Sequence, residues 1–385
     1  RVEVHVFEQR SKGALPPGLN LLLNHNGMSA IRSVDAALEA SVRGRGHDIV
    51  GWSARTMTGR VLYEIPDATA AGLADTHGVR ARWDEVNAEV QKACWDAIEW
   101  GESVTGFRYS SDASGRVAVS AVFASDRPDV KVDLLVAADG RYSSLRRFLE
   151  GGAPPLPCFG PPAISDFRVV VNEACLPAEL HGVVDDMLRV YNVPDEGLLA
   201  DGGAYAHLAA DEAFASGCMR GLARVGVMRI RPAPSASTSP ANPGHIGIWG
   251  NFRLPAGGTS IPEAAKTRDG IAALFTPAEG LETLDPVGRL VYETLTEHWE
   301  ALHWTRKQET SQRLVDGNGH VLLLGDAAGA IYPSLGQGAN LAIEDACTAA
   351  VALRSFARAA VEAGASHVDV PAATRAIESL RLQRR

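Results

Sequence analysis

The segment 320–345 has residue types and spacings that could hold an electron-rich ligand. The apolar run 321–324 is typical of a strand buried on both faces, and Gly325 and Asp326 end it with a turn and a carboxylate. From Ala339 onward, apolar residues recur with helical spacing behind a glycine-containing loop. A helix that begins there would direct free N–H groups and a partial positive charge at a ligand in front of it.

The segment also carries a longer pattern, G-D-A-A-x-x-x-x-P-x-x-G-Q-G-x-N-x-x-x-E-D. The residues that match it are Gly325, Asp326, Ala327, Ala328, Pro333, Gly336, Gln337, Gly338, Asn340, Glu344 and Asp345. This pattern closely resembles the flavin-contacting segment of the single-component FAD monooxygenases of the para-hydroxybenzoate hydroxylase type. One departure is Gly329, where that family often has histidine. The resemblance implies that Asp326 bonds the ribityl chain, that Pro333 lies beside the isoalloxazine, and that the helix N-terminus faces the pyrimidine ring.

Two further segments resemble the same family. An apolar stretch ends in Asp139-Gly140 and is followed by Ser143, Leu145 and Arg146, which fits the family's D-G-x-x-S-x-[VL]-R motif near FAD and the nicotinamide cofactor. Residues 2–10 alternate like a strand that ends at the acid Glu8. A carboxylate at such a position bonds the ribose hydroxyls of an adenosine in dinucleotide folds.

A helix expected over 80–100 supplies one more candidate. In related enzymes an arginine or polar group at the start of this helix touches FAD, and Arg82 is the candidate here, with Trp83 as the alternative for the aligned position. The residues expected to contact FAD are Glu8, Arg82, Asp139, Gly140, Gly325, Asp326, Pro333, Gly336, Gln337, Gly338, Ala339 and Asn340.

The glycine-rich turn G-x-G-x-x-G of a dinucleotide fold does not occur in the sequence. The nearest approach is Gly336-Gln337-Gly338, which has Leu341 at the third glycine position. Because the chain starts at the acid-bearing strand, we interpret it as truncated by roughly thirty residues that would carry the first strand and this turn. Loss of about three charge-assisted backbone bonds would weaken FAD affinity on the order of a thousandfold, and the parallel sheet would lack its central strand.

Composition excludes several other classes of protein. The chain has 385 residues, of which 46% are hydrophobic and 22% charged, and a net charge of −9, which argues against a general affinity for nucleic acid or anionic membranes. No apolar run approaches the ~20 residues that span a bilayer, so a cytoplasmic enzyme is expected. The five cysteines are scattered and no metal-ligand spacing occurs, so no metal site is predicted. Tyr332 replaces the first glycine of a G-x-S-x-G serine-hydrolase motif.

The resemblance implies an α/β fold with a Rossmann-like FAD-binding domain and an inserted, mainly β substrate domain. We expect the first domain to comprise residues 1–50, 76–160 and 301–385, and the second to comprise 51–75 and 161–300. The elements predicted from the residue patterns are helices over 28–40 and 80–100, hairpins over 51–64 and 104–124, a strand over 132–138, substrate-domain strands at 168–171, 188–193, 225–230 and 246–252, and an exposed loop over 232–243.

The chemistry implied by the resemblance is hydroxylation of a small aromatic or N-heteroaromatic substrate. NADH or NADPH would reduce FAD, and the reduced flavin would react with O2 and deliver one oxygen atom to the ring. The helix N-terminus would stabilise negative charge on reduced flavin by roughly 0.3–2 kcal/mol. No catalytic base is predicted; polar residues on or near the substrate sheet are Arg168, Tyr191, Tyr205, His207, Arg229 and His245.

Two alternatives stay open at this point. One is another flavin oxidoreductase on the same scaffold, such as an epoxidase, a halogenase or a reductase. The other is a truncated, inactive homologue. The substrate, the choice between NADH and NADPH, and the oligomeric state are not specified by the sequence, and a homodimer is compatible with it.

Overall fold

The computed structural model describes residues 3–13, 20–49, 51–65, 78–111, 113, 115–151, 156–157, 164–184, 187–193, 223–230, 244–253, 263–277, 280–305, 309–311, 313–331 and 336–382. Along the described residues, runs of two to five strands are separated by one or two α-helices. The strands are β1 (Val6–Glu8), β2 (Asn20–Leu23), β3 (His47–Asp48), β4 (Gly51–Thr56), β5 (Val61–Ile65), β6 (Val79–Arg82), β7 (Ile98–Trp100), β8 (Val104–Ser111), β9 (Val117–Phe123), β10 (Val130–Val132), β11 (Leu135–Ala137), β12 (Leu156–Pro157), β13 (Ile164–Asn172), β14 (Met187–Val193), β15 (Ala223–Ile230), β16 (His245–Arg253), β17 (His303–Thr305), β18 (Glu309–Thr310) and β19 (Val321–Leu323). The α-helices are α1 (His25–Val34), α2 (Ala36–Arg43), α3 (Trp83–Ala93), α4 (Ser144–Leu149), α5 (Arg268–Phe275), α6 (Pro286–Glu297), α7 (Gly338–Glu362) and α8 (Val370–Leu382).

The largest sheet has seven strands in the order β17-β13-β16-β15-β14-β4-β5. Neighbouring strands are antiparallel except β4 and β14, which are parallel. One face of this sheet packs on α5 and α6, where apolar side chains such as Phe167, Ile248, Phe275 and Leu290 are buried. Alternation along each strand therefore sends every second residue to the opposite face.

The remaining strands form smaller sheets beside the long helices. β1 pairs with β7, and β11 pairs with β19, both in parallel. The pair β11–β19 shares a hydrophobic core with the β8–β9 hairpin, and Phe7 of β1 packs against the same core. Helix α7 packs against α1 on one side and α8 on another.

Most strand predictions are confirmed. The strands predicted at 168–171, 188–193, 225–230 and 246–252 are found as β13 to β16 with longer bounds. The two predicted hairpins are β4–β5 and β8–β9. The predicted loop 232–243 lies outside the described residues.

The single helix predicted over 28–40 is wrong. The chain instead forms α1 and α2, separated at Asp35, whose φ of −151° is extended. The Asp35 carboxylate accepts hydrogen bonds from the amides of Ala37 and Leu38 at 2.8 and 3.0 Å. A side chain that caps a new helix competes with continuation of the old one. The helix therefore breaks at Asp35 although the apolar periodicity continues across it.

The helix predicted over 80–100 is also wrong at both ends. Residues 79–82 form β6, which lies between β2 and β3, and only 83–93 are α-helical. At the other end, 98–100 form β7 because they pair with β1. The strand predicted over 132–138 is likewise divided, since 130–132 pair with β9 and 135–137 pair with β19.

A search of the described residues finds no helix with the length and apolar character needed to cross a membrane.

Candidate functional site

Asp139 and Asp326 follow two paired strands. In the parallel pair, Ala137 of β11 is opposite Leu323 of β19, and the Leu324 amide donates to the Ala137 carbonyl at 3.0 Å. Both carboxylates come two or three residues later, at the carboxyl end of the pair. Ligands of open α/β sheets bind at that edge, so the structure brings these two predicted residues to one place.

The buried Arg146 ties the two turns together. Its guanidinium donates from Nη1 to the carbonyls of Asp326 and Ala327 at 3.1 and 2.9 Å, and from Nη2 to the Arg141 carbonyl at 2.7 Å. Charge-assisted bonds of this kind are stronger than neutral ones. Arg146, on α4, therefore holds the turn that carries Asp326 against the segment 139–141.

Asp139 caps helix α4. Its Oδ2 accepts from the amide and hydroxyl of Ser144 at 2.9 and 3.2 Å, and from the Leu145 amide at 3.4 Å. The neighbouring Gly140 has a φ of +79°, a left-handed conformation that favours glycine. This geometry makes the Asp-Gly pair a tight turn, with one carboxylate oxygen committed to the helix.

Gly325 allows α7 to approach the turn before Asp326. It has a φ of +58°, and an added Cβ would lie 3.0 Å from the Cβ of Ala342. Its amide donates to Oδ2 of Asp345 at 2.9 Å, and Oδ1 of Asp345 accepts from Nε of Arg381 at 2.6 Å. The acidic pair at the end of the sequence pattern thus anchors the turn to α7 and α8.

The N-terminus of α7 is a candidate position for a ligand. The residue before the helix, Gln337, makes no side-chain cap, and the first turn contains no acidic residue. Among the described residues, an added Cβ on Gly338 would have only Ile331 as a neighbour, at 3.9 Å. The free amides of a long helix without a cap give a positive end, which suits the electron-rich edge of a flavin.

Asn340 is fully buried and forms hydrogen bonds with backbone groups of Leu22, Asn24 and Gly336. Its amide nitrogen donates to the carbonyls of Leu22 and Gly336 at 3.0 and 2.7 Å, and its oxygen accepts from the Asn24 amide at 2.8 Å. An added Cβ on Gly27 would lie 2.2 Å from that oxygen. In this structure Asn340 therefore holds the two residues before α7, Gly336 and Gln337 (the Gly336 loop), through contacts with protein.

Two other predicted residues, Gln337 and Ala339, lie around the same loop. Gln337 accepts a hydrogen bond from Asn26 of α1 at 3.2 Å. Ala339 packs against the apolar cluster around Leu23 and Val79. Pro333 lies outside the described residues.

Glu8 lies at the end of β1, and one Glu8 oxygen accepts from the Arg10 amide at 2.9 Å. The Arg10 guanidinium lies over the Trp83 ring, 5.6 Å from its centroid. The structure therefore places Trp83, the alternative to Arg82, close to the acid-bearing strand end.

Arg82 points instead towards the seven-stranded sheet. It makes a bidentate ion pair with Asp84 at 3.1 and 2.6 Å, and its Nη1 lies 3.3 Å from Nε2 of His245 at the start of β16. The hydrogen bond with Asp84 raises the pKa of Arg82, while burial lowers the pKa of His245, and the charge of Arg82 lowers it further. A cation that donates to Nε2 favours the neutral imidazole with its proton on Nδ1.

We expect the His245 contact to weaken in acid. Because the folded-state pKa of His245 lies below its ordinary value of 6.5, the unfolded chain binds a proton first as the pH falls. The free energy of unfolding should therefore fall more steeply between pH 7.5 and 5.5 in the wild type than in His245→Gln. Urea unfolding at both pH values measures this difference. His367→Gln, at an exposed histidine, is the control and should keep the wild-type slope; equal slopes in all three proteins would contradict the expectation.

The seven-stranded sheet places the candidate polar residues on different faces. Arg168 and His245 lie on the face opposite α5 and α6, since their neighbours Phe167 and Ile246 belong to the core on that side. Arg229 lies on the other face, where it pairs with the buried Glu173 and donates to the Val184 carbonyl. Tyr205, His207 and the side chain of Tyr191 are outside what the structure describes.

A cavity of about 510 Å³ lies away from all these groups, between the β4–β5 turn and the start of α6. Its walls include Thr58, Gly59 and Asp285, and the Asp285 carboxylate accepts from the Gly288 amide as the cap of α6. It contains none of the predicted ligand residues.

Several site residues were not among the predicted contacts. Arg146, Glu344 and Asp345 are part of the sequence patterns, but no pattern specifies their hydrogen-bond partners. Arg381 and Leu22 belong to no local sequence motif, because their contacts are with residues that are distant in sequence, the 344–345 acids and the Gly336 loop.

Comparison with known proteins agrees with this geometry. Residues 290–369 match the family described as FAD binding domain. A segment of 73 residues, 19% of this chain and 15% of the relative, is 41% identical to the FAD-dependent monooxygenase notI of Aspergillus sp. (strain MF297-2). The chain thus spans well under two thirds of that relative.

Solved structures show the same fold over nearly the whole chain. Klebsiella pneumoniae HpxO, complexed with FAD and uric acid, matches with a TM-score of 0.65 and 20% identity, covering 98% of this chain and 78% of that one. P. aeruginosa PqsL, in complex with 2-aminobenzoylacetate, matches with a TM-score of 0.65 and 17% identity, covering 99% and 85%. The 2,6-dihydroxypyridine-3-hydroxylase of Arthrobacter nicotinovorans matches with a TM-score of 0.61 and 15% identity, covering 99% and 82%.

Proposed function

We propose that this chain belongs to the FAD-dependent monooxygenases, with a Rossmann-like α/β domain and an inserted β domain, and that it binds FAD and hydroxylates a small aromatic or N-heteroaromatic compound. The observation that carries the proposal is the junction of Asp326, Asp139 and the uncapped N-terminus of α7. NADH or NADPH would supply the electrons and O2 the oxygen atom. Residues 1–50, 76–160 and 301–385 would form the cofactor domain, and residues 51–75 and 161–300 the substrate domain.

The residues at the junction fit a flavin. Asp326 is half-buried, and its carboxylate can accept from the hydroxyls of a ribityl chain. The open amides of α7 can stabilise negative charge on the pyrimidine side of the ring. Bound FAD would supply the electron transfer and oxygen activation, which no side chain can perform.

The chain's own part is to orient the ring and exclude water. An added Cβ on Gly336 would lie 2.8 Å from the Leu22 side chain, so the Gly336 loop sits directly on Leu22. Leu22 in turn packs against the buried pair Met228 and Ile230 of the seven-stranded sheet. An apolar surface next to the ring reduces the access of water to reactive species.

The relatives support the substrate class. The names of the matched structures include uric acid, a dihydroxypyridine and 2-aminobenzoylacetate, which are all ring compounds with nitrogen in the ring or on it as a substituent. An epoxidase, halogenase or reductase on the same scaffold is the competing assignment. Consumption of NADH or NADPH that depends on an aromatic substrate and yields a hydroxylated product separates a hydroxylase from these, whereas flavin reduction without such a product contradicts hydroxylation.

Asp326→Ala tests the cofactor site directly. We expect FAD affinity to fall by about tenfold to a hundredfold, because a charge-assisted bond to the ribityl chain is lost. Titration of the purified protein with FAD, followed by flavin absorbance and fluorescence, gives the dissociation constants. Asp126→Ala, at an exposed loop position, is the control and should bind FAD like the wild type. Equal affinity of wild type and Asp326→Ala would remove Asp326 from the site.

A further inference from the structure

One indole ring lies on the face of the seven-stranded sheet that is turned towards the Gly336 loop. On β16, Ile246 and Ile248 belong to the core beside α5 and α6, so His245, Gly247 and Trp249 point to the other face. Trp249 is directly opposite Arg168 on β13 and directly opposite Gly226 on β15. Arg168, Trp249 and Gly226 therefore form one row across three strands.

Gly226 provides the seat for this ring. A Cβ added there would lie 2.0, 2.2 and 2.3 Å from Cζ2, Cη2 and Cε2 of Trp249. The six-membered part of the indole thus lies flat over the Gly226 backbone, in a space that any other residue would fill. Its orientation is fixed by the sheet, and one ring face is turned away from the sheet.

Trp249 remains partly exposed in this position. The neighbouring apolar side chains Met228 and Ile230 are almost completely buried, whereas Val170 and Trp249 are not. Leu22 contacts both this cluster and the Gly336 loop. Trp249 and Leu22 therefore pack against the same buried pair, Met228 and Ile230, and Leu22 also contacts the loop assigned to the flavin.

We propose that Trp249, seated on Gly226, is the aromatic platform that selects planar ring substrates in the pocket facing the flavin. The proposal rests on the proposed function, since the platform faces the site assigned to FAD. A planar aromatic ring can stack on the exposed indole face, and a saturated ring of the same size cannot approach it as closely. Arg168 is directly opposite Trp249 in the same row, so the indole lies beside a cationic side chain.

Matched probes measure the preference for planarity without knowledge of the substrate. Benzoate and 2-naphthoate are compared with cyclohexanecarboxylate and decahydro-2-naphthoate, which carry the same charge on saturated rings. Isothermal titration of the purified protein, with and without saturating FAD, gives the ratio of affinities. We expect at least one aromatic acid to bind about threefold to tenfold more tightly than its saturated counterpart.

Three variants assign this preference to the platform. Trp249→Leu should lose it, and Trp249→Phe should keep part of it because a flat ring remains. Gly226→Ala should also lose it although Trp249 is still present, because the added methyl group displaces the indole from its seat. Gly317→Ala is the control, since nothing lies within 4 Å of its added Cβ, and it should match the wild type.

The competing explanation is that Trp249 only covers the Gly226 backbone, as aromatic residues do opposite glycines in sheets. In that case Trp249→Leu lowers the melting temperature but leaves the aromatic-to-saturated ratio of wild type unchanged, which overturns the proposal. Absence of any preference in the wild type also overturns it. If FAD does not bind while the Trp249-dependent preference persists, the platform stands and the proposed function fails. If FAD binds but the preference is absent, the proposed function stands and the platform fails.

Discussion

Replacing Arg381 with methionine is expected to lower the free energy of unfolding by about 3–5 kcal/mol. The Arg381 guanidinium is buried and binds two buried carboxylates, Asp345 at 2.6 Å and Glu344 at 2.8 Å. Burial alone would lower the pKa of Arg381, but its hydrogen bonds to the two carboxylates raise it overall. Removal of the cation leaves two negative charges close together in the interior, which is far more costly than loss of a surface pair.

Urea unfolding of the wild type and Arg381→Met measures this loss. Arg375→Met is a matched control, because Arg375 lies on the same helix α8 and is exposed, and its replacement should change the free energy of unfolding by less than about 0.5 kcal/mol. Similar stabilities for the two variants would show that α8 does not hold α7 through this ion pair.

Replacing Arg146 with methionine is expected to destabilise the protein by about 3–5 kcal/mol and to weaken FAD binding by more than tenfold. The side chain is fully buried and donates to three carbonyls, two of them in the turn of Asp326. Without it these carbonyls lose their donor, and the turn is no longer fixed relative to the Asp139 turn. Stability and cofactor affinity should therefore fall together.

The adjacent Arg147 provides the control. It is exposed and donates only to nearby carbonyls, those of Tyr142 and Ser143, so Arg147→Met should cost at most about 1 kcal/mol and leave FAD affinity unchanged. Urea unfolding and FAD titration are carried out on both variants. A stable Arg146→Met protein with unaltered FAD affinity would contradict the coupling of the two turns.

Elements with strong local patterns were predictable from sequence. The buried run before Gly325 forms β19 and the periodic segment after it forms α7, because each pattern matches one period over its full length. The predicted strands of the seven-stranded sheet, β4, β5 and β13 to β16, follow for the same reason. The breaks were not predictable in this way, since Asp35 ends one helix by capping the next without a change in apolar periodicity.

The direction of individual side chains depended on tertiary contacts. The sequence left Arg82 and Trp83 as alternatives at the start of α3, because a shift of one residue cannot be read from periodicity. The pairing of β6 with β2 settles the direction of Arg82, which reaches Asp84 and His245, and brings Trp83 next to Arg10. In the same way, the seat of Trp249 is fixed by the register of β15 and β16.

Gly27 and Asn340 have a joint consequence for how this chain can diverge. They are more than three hundred residues apart in sequence, yet the space beside Gly27 is occupied by the Asn340 amide that closes the Gly336 loop. A side chain fits at position 27 only after Asn340 is replaced by a shorter residue. That replacement removes the hydrogen bonds that hold the Gly336 loop. Substitution at position 27 therefore depends on substitution at position 340, so helix α1 and the Gly336 loop are expected to diverge together.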